Sequence, residues 1–328
     1  KGFQANCGVR IQGGAFRSAG MCAKHSFRLL FKGAYGPTKL RYPLFGDDDA
    51  EEFDSIVLRA GANDGYAWDA AYQTEQYIRD EFGRRLQIAT GNAAPRGTFV
   101  HLYVNGLYWG LYNPCERPDA SFSVSYYGGD EENWDAIHDL SAADGDTAAW
   151  NQMIAQCTAA TSSFAAFERL QGNNPDGTRN PAYPHLLDVP NYVDYLIVNL
   201  WGGNWDWPWK NWWAGRDRSA TSTGFKFYTW DYENTMGNNR SRSPLNMNSL
   251  NNSFTSAGQP HRFMKDNPEY RLLFADRIHR FLFNDGPLTP AALLDRYRIT
   301  PLVFLRKTAA PALARSGGDS GVSRAMRG

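Results

Sequence analysis

Phe99-Val100-His101-Leu102-Tyr103-Val104, then Asn105-Gly106, then Leu107-Tyr108-Trp109-Gly110-Leu111-Tyr112 is the stretch that most constrains the fold. Asn-Gly between two runs of β-branched and aromatic residues favours a two-residue turn with positive φ at both positions, which matches the natural twist of paired strands. The chain is therefore predicted to form an antiparallel hairpin here. Directly after it, Asn113-Pro114-Cys115-Glu116-Arg117-Pro118 is expected to break the strand and to serve as a connector between two halves.

Either side of that connector the periodicity changes. Upstream, Val9 and Ile11 alternate with Arg10 and Gln12, and Phe27, Leu29 and Phe31 alternate with Arg28 and Leu30. These read as two strands around the glycine-rich turn Gly13–Gly20. Ser55–Arg59 reads as a short strand, and 68–85 has helical spacing with Ala71, Tyr72, Ile78 and Phe82 as inner positions. Downstream, helical patterns cover parts of 147–167, 189–200, 268–283 and 290–307, while 224–230 reads as a strand. Residues 234–260, rich in Asn, Ser and Gly, read as a long mobile segment, and 317–328 as a frayed tail. The expectation is an α+β chain of two lobes: a β-rich one over 1–115 and a mainly helical one over 116–328.

The 34 basic and 34 acidic residues cancel, which argues against a broad nucleic-acid footprint or a basic membrane-binding face. No apolar run approaches the roughly 20 residues of a membrane span. The chain opens on Lys1 without a basic-then-apolar leader, so a mature form or a fragment is expected. Cys7, Cys22, Cys115 and Cys157 show no CxxC spacing and no histidine cluster. Cys7 and Cys22 flank one hairpin, where either a disulfide or two buried free thiols would fit.

The chemistry concentrates downstream. Asp206 and Asn211 stand five residues apart inside a cluster of tryptophans at 201, 205, 207, 209, 212 and 213, and Asp231 follows the strand-like run Gly224–Trp230. An Asp, an Asn five positions on, and an Asp at a strand end make the acidic layout of protein-kinase-like phosphotransfer sites. In that layout Asp206 orients or deprotonates an acceptor hydroxyl, while Asn211 and Asp231 supply oxygen ligands to a hard cation. The bland alternatives are an Asp closing a turn before Pro208 and a core strand ending in an exposed Asp. Arg17 and Lys24 lie on or beside the Gly13–Gly20 turn, whose backbone N–H groups could face phosphate. Phe225, Phe227, Thr229 and Asp231 share one parity, so Phe225 could form an aromatic floor for a base, and Glu233 continues that parity. Glu116 lies in the connector, where a kinase-like fold would hold adenine and ribose. His25, His101, His138 and His261 show no pairing and read as structural or surface residues.

These segments together resemble the CotH kinase family, over about 8–299. The carriers are Gly8-Val9-Arg10-Ile11-Gln12-Gly13 with Arg17, Lys24-His25-Ser26-Phe27-Arg28-Leu29, the Asn105–Tyr112 hairpin with Glu116, Asn204-Trp205-Asp206 through Asn211, and Trp230-Asp231 through Gly237. The resemblance implies an atypical protein-kinase-like fold that binds ATP with Mg²⁺ (or Mn²⁺) and phosphorylates Ser or Thr of a protein substrate. By position it implies Asp206 as the catalytic acid/base, Asn211 and Asp231 on the metal, Arg17 and Lys24 on phosphate, and Phe225 on adenine. It also implies a secreted, surface or coat-associated setting. Glu233 stands where the family usually has Asp, and His25 where it has a second Lys. Two other classes fit the residues: a non-catalytic kinase-like coat or adhesion scaffold, and a carbohydrate-binding or carbohydrate-active protein using the tryptophans and an acid pair.

Overall fold

The computed structural model describes residues 2–46, 50–65, 74–237 and 246–298. In chain order the elements begin with β1 (Gly8–Gln12), β2 (Ser26–Leu30), β3 (Leu40–Arg41), β4 (Glu52–Phe53), β5 (Ser55–Arg59), α1 (Arg79–Ala89), β6 (Val100–Val104) and β7 (Leu107–Cys115). There follow α2 (Ala120–Tyr127), β8 (Trp134–His138), β9 (Ser141–Asp144), α3 (Ala148–Ala159), α4 (Phe164–Leu170) and α5 (Val189–Trp201). Then come β10 (Trp212–Asp217), β11 (Lys226–Thr229), α6 (Gln259–Met264) and α7 (Pro268–Leu282), and residues 290–298 are helical. The result is a mixed α+β chain with antiparallel sheets and several helices. One sheet runs β1-β2-β5-β7-β6, a second β11-β10-β8-β9, and β3 pairs with β4.

The Asn105-Gly106 hairpin forms as its sequence dictates, with φ of 51° and 79° at the turn and Val104 opposite Leu107. Its return strand does not break at Asn113. β7 continues to Cys115, pairing Asn113, Pro114 and Cys115 with Arg59, Leu58 and Val57 of β5. Pro114 is tolerated because only its carbonyl is used, accepting the Thr98 N–H at 3.0 Å. The helix expected over 68–85 begins later. Tyr77 takes a positive φ of 63°, and the Asp64 carboxylate accepts the N–H groups of Gln76 and Arg79, so α1 starts at Arg79. Ile78 and Phe82 are buried as expected, while Trp68, Ala71 and Tyr72 lie outside the described residues.

Among the described residues the half after Glu116 has far more helix than strand, and it also carries the whole second sheet. Strands β8 and β10 escape a periodicity reading because they are short and buried on both faces. The segment expected over 147–167 is two helices, divided at Thr161-Ser162-Ser163, where Ser163 Oγ caps α4 through the Ala166 N–H. Of the segment expected to be mobile, 238–245 lies outside the described residues, whereas Phe254 and Ala257 are buried in the main core. The tail expected at 317–328 also lies outside them. All four cysteines are free thiols, so Cys7 and Cys22 are not bridged.

Helix α5 is the centre of the main core, with Tyr192, Val193, Leu196 and Val198 wholly buried. Against it Phe227 of β11 packs among the rings of Trp150, Tyr192, Tyr195 and Trp212. β11 is an edge strand, and its backbone is covered by side chains rather than left open. Gln87 of α1 donates to Phe227 O and accepts from Thr229 N–H, each at 2.6 Å, and Asn191 Oδ1 accepts the Phe227 N–H at 2.7 Å. A third cluster, including Val57, Cys115, Phe122, Trp213 and Trp230, joins the two large sheets.

Arg59 ties the same junction electrostatically. Its side chain is 11% exposed, and it reaches Asp80 of α1 at 3.0 Å, Asp231 at 2.5 Å and Glu233 at 2.8 Å. Arg84, wholly buried, adds a second cation to Asp80 at 3.3 Å. Burial pushes the Asp80 carboxyl upward, but Arg59 and then Arg84 outweigh it and hold it below its ordinary value. Removing one member of such a buried network strands its partners, so Arg59→Ala is expected to cost about 3 kcal/mol of stability. Urea denaturation checks this, and a loss no larger than that of an ordinary surface substitution would refute the assignment.

His261 gives a pH-dependent counterpart. Burial, with a smaller effect from Lys265, pushes its imidazole down to about 4, and its Nδ1 pairs with Tyr270 Oη at 2.9 Å. As pH falls from about 6.5 toward the folded value, the unfolded chain gains a proton that the folded chain refuses, so stability falls. In His261→Gln that share of the acid slope is expected to vanish, read as a shallower decline in denaturation midpoint between neutral and acid pH.

Candidate active site

The site grows out of the end of α5. Gly203 takes a φ of 60°, turning the chain away from the helix, and Gly202 passes so close to Tyr232 that a Cβ there would lie 1.7 Å from its hydroxyl. Asn204 is pinned to Asn199 through N–H to O at 3.1 Å and Nδ2 to Oδ1 at 2.9 Å. Trp205 N–H then bonds Asn234 O at 3.0 Å, and buried Trp207 donates its indole N–H to Tyr195 Oη at 2.6 Å. The tryptophans around Asp206 therefore divide in use. Trp207 and Trp212 are core, while Trp209 stays exposed, edge-to-face with Trp205.

Asp206, 6% exposed, accepts Asn211 Nδ2 at 3.0 Å and Asn234 Nδ2 at 3.3 Å, both on Oδ2. Its other oxygen, Oδ1, lies 3.3 Å from the Lys210 ammonium and makes no hydrogen bond; Asn234 Oδ1 is likewise buried without one.

Strand register brings the rest to the same end of the second sheet. Trp212 pairs with Thr229, so Asn211 lies beside the exit of β11 toward Asp231; Trp213 pairs with His138, so the β8 turn residue Asp139 lies beside Trp212. Asp231 (φ 57°) is raised in pKa, first by burial, against the pull of Arg59, with Asp80 and then Asp206 adding to the rise. That influence of Asp206 places both carboxylates in one electrostatic field. Glu233 accepts Asn63 N–H at 2.8 Å as well as Arg59, and burial foremost pushes it up to about 7.

The cationic side is Lys24. Its ammonium donates to Ala60 O at 2.9 Å and Leu111 O at 2.6 Å, and lies over the rings of Tyr112 and Tyr77 at 4.8 and 5.0 Å. Burial lowers its pKa to about 8, opposed by Cys22 and Glu233. Its partners Ala60, Leu111, Tyr77 and Tyr112 also wall, with Arg59 and Glu233, a chamber of about 10 Å³. That is room for about one water, so a larger ligand has to sit outside it. Arg17 is exposed on the β1–β2 turn, and no described contact joins it to the acidic group.

Two expected residues are elsewhere. Phe225 is wholly buried, edge-on to Trp150 at 5.6 Å, so it is a core residue and not a floor for a base. Both faces of β11 are covered, and the strand ends at Thr229, before Asp231 with its positive φ of 57°. Glu116, 3% exposed, accepts Arg96 N–H at 2.8 Å and Tyr126 Oη–H at 2.9 Å, which makes it a clamp on the chain at the end of β7.

Four residues escaped the sequence reading: Arg59, Asp80, Asn234 and Asp139. Arg59 left a signal as a charge ending the apolar run Ile56-Val57-Leu58, and Asn234 lay unassigned inside the Trp230–Gly237 segment. The oxygen-only donor set of Asp206, Asn211, Asp231 and Asn234, with two buried acceptors lacking hydrogen bonds, fits a hard cation such as Mg²⁺. Among the described residues no three His, Cys, Asp or Glu side chains group as a metal site by themselves, so the fit depends on the two asparagines. Among them, too, no helix is long and apolar enough to cross a membrane.

No curated protein matches the chain. A family model described as CotH kinase protein matches residues 9–285, and this kinase-like chain therefore belongs to the CotH kinase family.

Proposed function

We propose that the protein is an ATP- and Mg²⁺-dependent protein kinase that transfers the γ-phosphoryl group to a Ser or Thr hydroxyl. The reading includes a kinase-like two-lobe division, with 1–115 over the nucleotide and 116–328 carrying the catalytic acids. The observation that carries it is the Asp206–Asn211 hydrogen bond at 3.0 Å, at the same sheet end as Asp231. Asp206 has one oxygen fixed by two amide groups and the other without a hydrogen bond, a carboxylate oriented to receive a hydroxyl proton. Asn211 and Asp231 would hold Mg²⁺ (or Mn²⁺), with Asn234 added from the geometry. When bound, the ion would neutralise charge on the phosphates. Lys24, and Arg17 from the Gly13–Gly20 turn, would supply cations to those phosphates. Glu116 and Phe225 drop out of the ligand set on the burial described above.

One observation favours a second reading, a non-catalytic kinase-like scaffold: Arg59 already neutralises Asp231. The two readings separate by calorimetry with Mg²⁺ and ATP, where a binding isotherm supports the kinase and flat traces at millimolar nucleotide support the scaffold.

Asp206→Ala and Asp231→Ala are each expected to lower phosphoryl transfer by at least about a hundredfold while the far-ultraviolet circular dichroism stays that of the wild type. Turnover of radiolabelled ATP at the wild-type rate by either purified variant would rule the kinase reading out.

A further inference from the structure

Asp139 is one of two consecutive non-glycine residues at positive φ, 47° there and 68° at Leu140, forming the two-residue turn between β8 and β9. Such a turn needs no carboxylate, and glycine or asparagine would satisfy its backbone. The carboxylate is used elsewhere. Oδ1 accepts the Trp212 N–H at 3.4 Å, the N–H of the peptide unit that joins Asn211 to Trp212. Asn211 itself has a φ of 64°, a conformation that asparagine tolerates but that other residues rarely adopt. So a strand turn some 70 residues away in sequence holds the backbone on which the Asn211 amide is mounted. Around Asp139 the charged and titratable neighbours include Lys210 and Asp231 across the site, Tyr195 of α5, and His138, whose Nδ1 lies 3.4 Å from Oδ2.

We infer that Asp139 is a positioning residue, fixing the left-handed backbone at Asn211 so that its side chain meets Asp206 in the geometry a cation needs. The inference rests on the reading of Asn211 as a metal ligand. Acceptors behind a ligand commonly change metal affinity about tenfold or more when removed, because the ligand then samples other orientations. The role asks for an acceptor oxygen at this point and not for negative charge as such. That separates it from a merely electrostatic effect of one more carboxylate.

The test is Mn²⁺ titration in the presence of a non-hydrolysable ATP analogue, followed by electron paramagnetic resonance, on three variants. Asp139→Gly removes the carboxylate and suits the backbone, and is expected to weaken Mn²⁺ about tenfold. Asp139→Asn keeps the acceptor oxygen and is expected to stay close to the wild type. Asp139→Glu keeps the charge but displaces the oxygens; it should weaken binding like Gly, and it serves if the Gly variant folds poorly. Wild-type affinity in the Gly and Glu variants overturns the inference. So does an Asn variant as weak as Gly, which would make charge the cause. If the wild type itself binds no Mn²⁺–nucleotide, the kinase reading fails, and hydrogen exchange then judges the positioning: the Trp212 amide should exchange faster in Asp139→Gly, and unchanged exchange overturns it.

Discussion

The hub of this structure is one guanidinium shared by three carboxylates. Arg59 ends β5 in the first sheet, Asp80 stands in the first turn of α1, and Asp231 and Glu233 follow β11 of the second sheet. Three elements distant in sequence therefore meet on a single side chain. With Arg84 and its other buried partner Glu81, the group holds two cations against four acids, so it keeps an excess of negative charge in a largely buried place. That excess has consequences that the individual contacts do not. It raises the pKa of Asp231 and Glu233, burial being the larger cause in both, and it makes the nearby exposed edge a favourable place for added positive charge. The Tyr232 N–H donates to Asp80 at 2.9 Å, so the backbone between the two acids is fixed by the same hub.

Around that hub the site is assembled by strand register more than by sequence proximity. Trp212 opposite Thr229 and Trp213 opposite His138 align three chain segments, and the residue just beyond each pairing is Asn211, Trp230 or Asp139. A slip of one residue in either ladder would turn alternate side chains to the other face and remove the site while leaving a sheet. The core against β10 and β11 prevents such a slip, since Trp212, Phe225 and Phe227 fill one contiguous aromatic layer with Trp150. The aromatic richness of this region thus does most of its service in holding register, and only Trp205 and Trp209 are left as a surface pair near Asp206.

What could be read from the sequence was what is local. The Asn105-Gly106 turn, α5 behind its Asp188 cap, and α7 behind Asn267 each announce themselves within a few residues. The Asp206–Asn211 pairing was legible for the same reason, being five residues long. What failed was whatever depended on a remote partner. Strands β8 and β10 show no alternation because other layers cover both their faces. The start of α1 was set by Asp64, fifteen residues upstream, rather than by its own periodicity. Phe225 was expected on an open face, but that face is filled by Trp150. Glu116 was an acid in the expected segment whose oxygen was committed to Arg96 and Tyr126. Asn234 lies inside the segment Trp230–Gly237 but was given no role there, and Asp139 carries no motif; only folded geometry gives them neighbours.

The apparent conflict between a metal at Asp231 and the Arg59 ion pair is resolved by the arithmetic of the hub. Nη2 of Arg59 is shared between Asp231 at 2.5 Å and Glu233 at 2.8 Å, while Nε is held by Asp80. On the proposed reading, Asp231 turning to a cation would leave Arg59 with two carboxylates, still neutralised and still buried. Asp231 is also the more exposed of the two shared acids, its side chain 28% accessible against 5% for Glu233. The acid that would have to move is therefore the one with room to do so, and the one that would stay is fixed by the Asn63 N–H. In that arrangement Glu233 serves as the anchor that lets Asp231 change partners without stranding a buried guanidinium.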